Sequence, residues 1–259
     1  MFSRPGTYPA VGLFSTAHII SIFVCLILIG LAVFFTRKMT KETYIKFLRI
    51  LAIVVTCLEL FKVIWTLSIG DTNVNAWVSL YFCSIFIYSL WFTYSKKQFV
   101  REIGLSFIAF AGIVAGVVFI ISPSTSFNTY PIFHFQCLYS MLYHSLMVYS
   151  GIMLIKTKAV KYDLKLFYKY LIFCAIFMTL AIIVNVCTTN GNMMFFDNPG
   201  GLSIPILVTI YNFSHVLYTI VMVLAHLLLG LVVLGAYKLI ELIVNKCKQS
   251  KAKSETSQS

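Results

Sequence analysis

The sequence predicts an all-α, polytopic membrane protein, a bundle of seven transmembrane helices, and three observations carry that reading. Of its 259 residues, 60% are hydrophobic and 11% charged, with a mean hydropathy of +0.92, more apolar surface than a soluble globule can cover. Apolar runs of about 20 residues recur along the chain, whereas strands of about ten residues with alternating polarity are absent. In hydrocarbon every backbone amide needs an internal partner, so such runs cross as helices. The third observation is the placement of the basic residues.

Seven spans are read at 14–36, 47–69, 75–94, 103–121, 131–155, 166–187 and 206–237. Arg37, Lys38, Lys41, Lys46 and Arg49 flank the first connection, and Lys96, Lys97 and Arg101 the third. Lys156, Lys158, Lys161, Lys165 and Lys169 flank the fifth, and Lys238, Lys246, Lys248, Lys251 and Lys253 follow the last span. These are 18 of the 20 Lys and Arg residues; only Arg4 and Lys62 stand apart. The positive-inside rule makes this face cytoplasmic, with the N-terminus outside and the C-terminus inside.

A basic face beside anionic lipid headgroups accounts for the net charge of +12 without nucleic acid. Residues 1–245 form one transmembrane domain, and 246–259 read as a disordered basic cytoplasmic tail. The start of the chain lacks a basic n-region and a cleavage site, which predicts an uncleaved first helix. Six of the seven cysteines fall inside predicted spans and none makes a CxxC pair, so neither a disulfide framework nor a thiolate metal site is expected. No cofactor is implied.

Taken in order, the first helix carries His18 near its outer end, where an interfacial histidine wetted by headgroups is the ordinary reading. Helix two holds Glu59 and Lys62, three residues apart and so on one face, either a structural ion pair or part of a polar site. Helix three places Cys83 eight residues in from Asn75, about 12 Å deep at 1.5 Å per residue. A buried cysteine is usually inert; a nucleophilic one needs a base or a cation beside it. Helix five supplies His134 near the outer surface and His144 near mid-membrane, with Gln136, Cys137 and Ser140. Asn185 ends helix six.

The loop that follows contains Asn190, Asn192, Asp197 and Asn198 as turn formers. Met193, Met194, Phe195 and Phe196 between them predict an apolar patch facing the outer leaflet, either a loop dipping into the interface or a lid over a lipid-accessible cavity. Helix seven brings Asn212 and His215, one turn apart, to similar depth, with His226 nearer the cytoplasm.

Four of these segments together resemble the YwaF-like integral membrane family of bacteria, related to the animal transmembrane protein 164 lipid acyltransferases. They are Leu58 to Lys62, the helix-three segment ending in Cys83-Ser84, the YHSLMVY run around His144, and Asn190 to Phe195 before a proline. The chain departs from the family where a Pro and a His often precede the cysteine, here Ser79 and Tyr81, and where the loop's usual Tyr is Met193. The resemblance implies an acyltransferase acting on membrane phospholipids, in the plasma membrane if the host is bacterial, with a Cys/His pair in the outer half of the bilayer. Cys83 would be the acylated nucleophile and His144 the base, with Glu59, Lys62, Asn185, Asn190, Asn212 and His215 in support.

Hydrolysis would share the acyl-enzyme and differ only in the second nucleophile. A carrier or lipid-binding protein without covalent chemistry is the alternative, since buried ionisable groups also line translocation paths. A receptor is disfavoured by the absence of an acidic-Arg pair after helix three and of an Asn-Pro-x-x-Tyr turn in helix seven, and a retinal protein by the absence of a mid-membrane lysine in that helix.

Overall fold

The computed structural model describes residues 2–200, 202 and 204–256, with side chains to residue 249, and 73% of the chain is helical. Among the described residues there is no strand. Among the described residues, six helical segments are long and apolar enough to cross a membrane: Thr16–Phe35, Lys41–Ser68, Gln98–Phe127, Phe135–Lys156, Leu164–Cys187 and His215–Gln249. The chain is therefore an integral, multi-pass membrane protein.

Helix α1 (Thr16–Phe35) starts at Ser15, whose hydroxyl accepts the His18 amide, and α2 (Lys41–Ser68) starts at Thr40, which accepts the Thr43 amide at 3.3 Å. Both are N-caps that satisfy donors the first turn leaves open. The buried positions of α2, Tyr44, Leu48, Leu51, Val55 and Glu59, recur at helical spacing, so Glu59 continues an inward-facing stripe.

The third predicted span is not one helix. A single turn, α3 (Val74–Trp77), gives way to extended and turn backbone through Ile85 before α4 (Phe86–Phe92). The segment nevertheless runs antiparallel along α2: Ser79 bonds Glu59 at one level, and the Thr93 carbonyl accepts from Arg49 Nε at 3.4 Å at the other. Extended backbone rises about 3.3 Å per residue against 1.5 Å in a helix, so eighteen or so residues need not coil throughout to cover this distance.

Next come α5 (Gln98–Phe107), a buried π-helical turn at Ile108–Gly112, and α6 (Ile113–Ile121). After the short α7 (Ser124–Phe127), α8 (Phe135–Lys156) runs through the centre, packed on α1, α2 and α6. Gly116 lets α6 and α8 approach: a Cβ there would lie 2.8 Å from the His144 carbonyl, the small-residue packing that helices use in lipid. Helix α9 (Leu164–Cys187) packs on α5, and α10 (Pro205–Phe213) is separated from α11 (His215–Thr256) by an extended Ser214. Helix α11 passes residue 245, where composition sets the start of a disordered tail, and continues to Thr256.

The four basic connections meet at one end of the bundle. Tyr94 donates to the Arg49 carbonyl at 2.7 Å, Lys169 pairs with Glu102, and Tyr162 stacks on Tyr237 with 4.2 Å between ring centroids. The chain before α1 and the second, fourth and sixth connections meet at the other end: Gly12 donates to the Phe127 carbonyl at 2.9 Å, and the Asn192 amide donates to Asn75 Oδ1 at 2.7 Å.

Candidate functional site

Cys83 lies in the unwound stretch between α3 and α4, half-buried. Non-helical backbone at membrane depth is tolerated where protein surrounds it or a cavity adjoins it, and here α8 supplies the partners. The Tyr143 hydroxyl donates to the carbonyls of Cys83 and Ser84, at 3.1 and 3.2 Å. One turn earlier on α8, Tyr139 donates to Glu59 Oε2, and Glu59 Oε1 takes both Lys62 and Ser79. Glu59 is thus held by three donors from three segments, a satisfied ion pair joined to the unwound stretch through Ser79.

The structure does not bring His144 against Cys83. Tyr139, Tyr143 and Met147 form the α8 face towards the unwound segment, whereas Cys137, Met141, His144 and Val148 form the face towards α1 and α6. His144 stacks flat on Phe119, with 3.5 Å between centroids and 4° between planes. Its Nδ1 donates to the Ser140 carbonyl at 2.7 Å, which places the lone pair on Nε2, and that buried Nε2 has no partner among the described residues.

A second histidine with the same arrangement packs on Phe82, the residue before the cysteine. His226 on α11 donates from Nδ1 to the Met222 carbonyl at 2.7 Å, and its ring meets Phe82, the neighbour of Cys83, at 4.5 Å between centroids. Counting residues from 206 puts His226 near the cytoplasm. The break at Ser214 and the faster descent of the unwound segment bring it level with Phe82 instead. Counting from that break is the one sequence signal that could have found it.

The remaining predicted residues lie at the lysine-poor end. Asn185 clamps the loop by donating to the Met193 carbonyl at 3.1 Å and accepting the Met193 amide at 2.7 Å. The Asn190 carbonyl accepts from Asn75. Asn212 is exposed, and His215 faces Asp197 at 3.4 Å on the surface, so neither reaches the cysteine. The expected outward apolar patch is not found: Met193, Met194 and Phe196 are fully buried. Tyr218 and Thr219 of α11 draw this turn inward by donating to the carbonyls of Phe195 and Phe196 at 2.7 and 2.8 Å. Among the described residues, no three His, Cys, Asp or Glu side chains converge as a metal site.

The TMEM164 family model matches residues 13–230, a stretch that contains all of these groups. The chain belongs to the TMEM164 family. No curated protein and no solved structure matches it. In this TMEM164-family chain the cysteine, the histidine of α8, the Glu59–Lys62 pair and the asparagine-rich turn all lie within the matched range.

Proposed function

We propose that this protein transfers fatty acyl groups between membrane lipids, with Cys83 as the nucleophile and, as the base, one of the two histidines whose Nε2 is free, His144 of α8 or His226 of α11. The observation that carries the reading is the unwound third crossing, which holds Cys83 at membrane depth in a segment bonded to Tyr143 and, through Ser79, to the Glu59–Lys62 pair, in a chain of the TMEM164 family. In this scheme the thiol proton passes to a histidine Nε2, and the thiolate sulfur attacks an ester carbonyl. The ester C–O bond breaks, and the departing alkoxide takes the proton from the imidazolium. An acceptor hydroxyl then gives its proton to the same nitrogen, attacks the thioester and restores the thiol. Seven passages, with the N-terminus outside and the basic end cytoplasmic, put Cys83 in the outer half of the bilayer.

Two observations favour further readings. His226 is the histidine packed against the Cys83 segment, which makes it the second candidate base. The interruptions at 78–85 and Ser214 are also the kind of broken helices that line a translocation path, which keeps a carrier in contention.

Intact-protein mass spectrometry after incubation with phospholipid vesicles tests the assignment. The expected result is a hydroxylamine-sensitive acyl adduct on wild type that is absent from Cys83→Ser. Absence of an adduct and of any change in lipid composition, together with lipid movement across the bilayer that Glu59→Gln removes, would establish the carrier instead.

A further inference from the structure

The crossing around Cys83 leaves a run of backbone donors open. Among the described residues, the amides of Ser79, Leu80, Tyr81, Phe82, Cys83 and Ser84 have no acceptor, whereas the next two, of Ile85 and Phe86, donate to the carbonyls of Tyr81 and Cys83 at 3.1 Å. Unmade backbone bonds are costly at membrane depth, and a helix would give each of these amides a carbonyl four residues back. Neither Gly nor Pro breaks the helix here, so side chains from elsewhere hold it open. Glu59 takes Ser79, Phe107 packs on Phe82 at 5.4 Å between centroids, and Tyr143 holds the carbonyls of Cys83 and Ser84.

Tyr143 also aims the last amide of the run. A trans peptide sets its C=O and N–H in opposite directions, so the bond from Tyr143 to the Cys83 carbonyl, at 3.1 Å, turns the Ser84 N–H away from α8. That N–H faces the Cys83 sulfur, as do the Cys83 N–H and the Ser84 hydroxyl. A thiol sulfur is a weak acceptor, and three donors lose little by leaving it. An oxyanion on the carbon that the sulfur attacks is a charged and far stronger one. Donors that gain only as charge develops lower the barrier instead of tightening the ground state.

We propose that the amides of Cys83 and Ser84 and the Ser84 hydroxyl form the oxyanion hole for acyl transfer at Cys83, which makes Ser84 a catalytic residue. The purpose of the hole rests on the acyl-transfer reading; its donors rest on the unwound backbone alone. As the sulfur bonds to the ester carbonyl carbon, the C=O π pair moves onto oxygen and the three donors turn to it. When the pair returns, the bond to the leaving alkoxide breaks, and that alkoxide takes the proton held by the histidine. The amides of a nucleophile and of the residue after it serve in this way on unrelated acyl-transfer folds. An ether-linked chain has no oxygen to receive the charge, so the site is restricted to acyl esters.

The test uses the full chain in nanodiscs of ether-linked phosphatidylcholine, which has no acyl ester to react. Hexadecyl trifluoromethyl ketone adds the Cys83 sulfur to its carbonyl reversibly and keeps the electron pair on oxygen; its fluorine resonance reports the adduct and gives a Kd. Iodoacetamide alkylates the same thiol by displacing iodide, with no oxyanion, and its rate is read by peptide mass spectrometry. Ser84→Ala is expected to raise the ketone Kd about 100-fold, the usual loss for one oxyanion donor, and to leave the alkylation rate close to that of wild type.

An unchanged Kd, no adduct in wild type, or an alkylation rate that falls as far as the ketone affinity does would overturn the proposal. Diacyl phosphatidylcholine nanodiscs then separate the hole from the reaction it serves. A ketone adduct that depends on Ser84, without any acyl adduct from the lipid, would keep the hole and remove the acyltransferase. An acyl adduct that forms equally fast in wild type and Ser84→Ala would do the reverse.

Discussion

The five histidines of this chain include two pairs that are wired in opposite ways. His18 and His134 each have both ring nitrogens occupied. The Phe14 amide donates to His18 Nδ1 at 2.9 Å while Nε2 donates to the Ile120 carbonyl at 3.1 Å. The Gln136 amide donates to His134 Nδ1 at 3.1 Å while Nε2 donates to the Ser3 carbonyl at 3.0 Å. Both therefore carry the proton on Nε2 and fasten the chain before α1 to the bundle. His144 and His226 carry it on Nδ1, given to the carbonyl one turn back on their own helix, and hold a lone pair on an Nε2 that no described protein group uses. A satisfied imidazole is a structural bolt; one held by a single nitrogen with its basic lone pair free has the wiring of a general base.

The largest expected effect is on chemistry at the second pair. Replacing the histidine that serves as the base, by His144→Ala or His226→Ala, should slow acylation of Cys83 by about 10²- to 10⁴-fold, the usual contribution of a positioned base. His144→Ala should also lower the folding midpoint, because the ring lost is buried and stacked flat on Phe119, so rates are compared on folded protein. The rate of adduct formation, read by mass spectrometry beside a thermal melt, checks both halves. If His226→Ala carries the loss and His144→Ala does not, the base belongs to α11; if neither does, the contrast between the pairs has no catalytic meaning.

The sequence made part of this legible and hid the rest for identifiable reasons. Helical spans announce themselves by length and apolarity, and the alternation of basic connections predicts the one end that Tyr94–Arg49, Lys169–Glu102 and Tyr162–Tyr237 hold together. The Glu59–Lys62 pair follows from their spacing of three. The unwinding around Cys83 does not, because residues 77–94 are apolar or small throughout and carry neither Gly nor Pro, so composition cannot separate a broken crossing from a helix. Burial of Met193 and Met194 depends on hydrogen bonds to the carbonyls of Phe195 and Phe196 from Tyr218 and Thr219, more than twenty residues away, and local pattern is blind to such ties.

At the first pair the expected effect is on stability. His18→Ala strips the Phe14 amide and the Ile120 carbonyl of partners in a buried site, which should destabilise the fold by about 1–3 kcal/mol. Acylation by the protein that remains folded should be unchanged. A melt in mild detergent, run alongside the adduct assay, checks this, and a selective loss of acylation would break the division between bolts and bases.

The smallest effect is a pH dependence confined to His134. This side chain caps α8, stacks on Tyr130 with 4.1 Å between centroids and is buried, and burial pushes its pKa below the ordinary 6.5. Protonation would also turn the Nδ1 that accepts the Gln136 amide into a donor and set a positive charge at a helix N-terminus. Because the folded pKa lies below the unfolded one, the contribution is fully present above about pH 6.5 and is lost as the pH falls below it. Replacing it by His134→Asn keeps an acceptor at the cap and removes the titration. Between pH 7.5 and 5.5 the wild type should therefore lose more of its melting temperature than the Asn variant does, and parallel curves would mean that His134 takes up its proton in the fold as readily as in the unfolded chain.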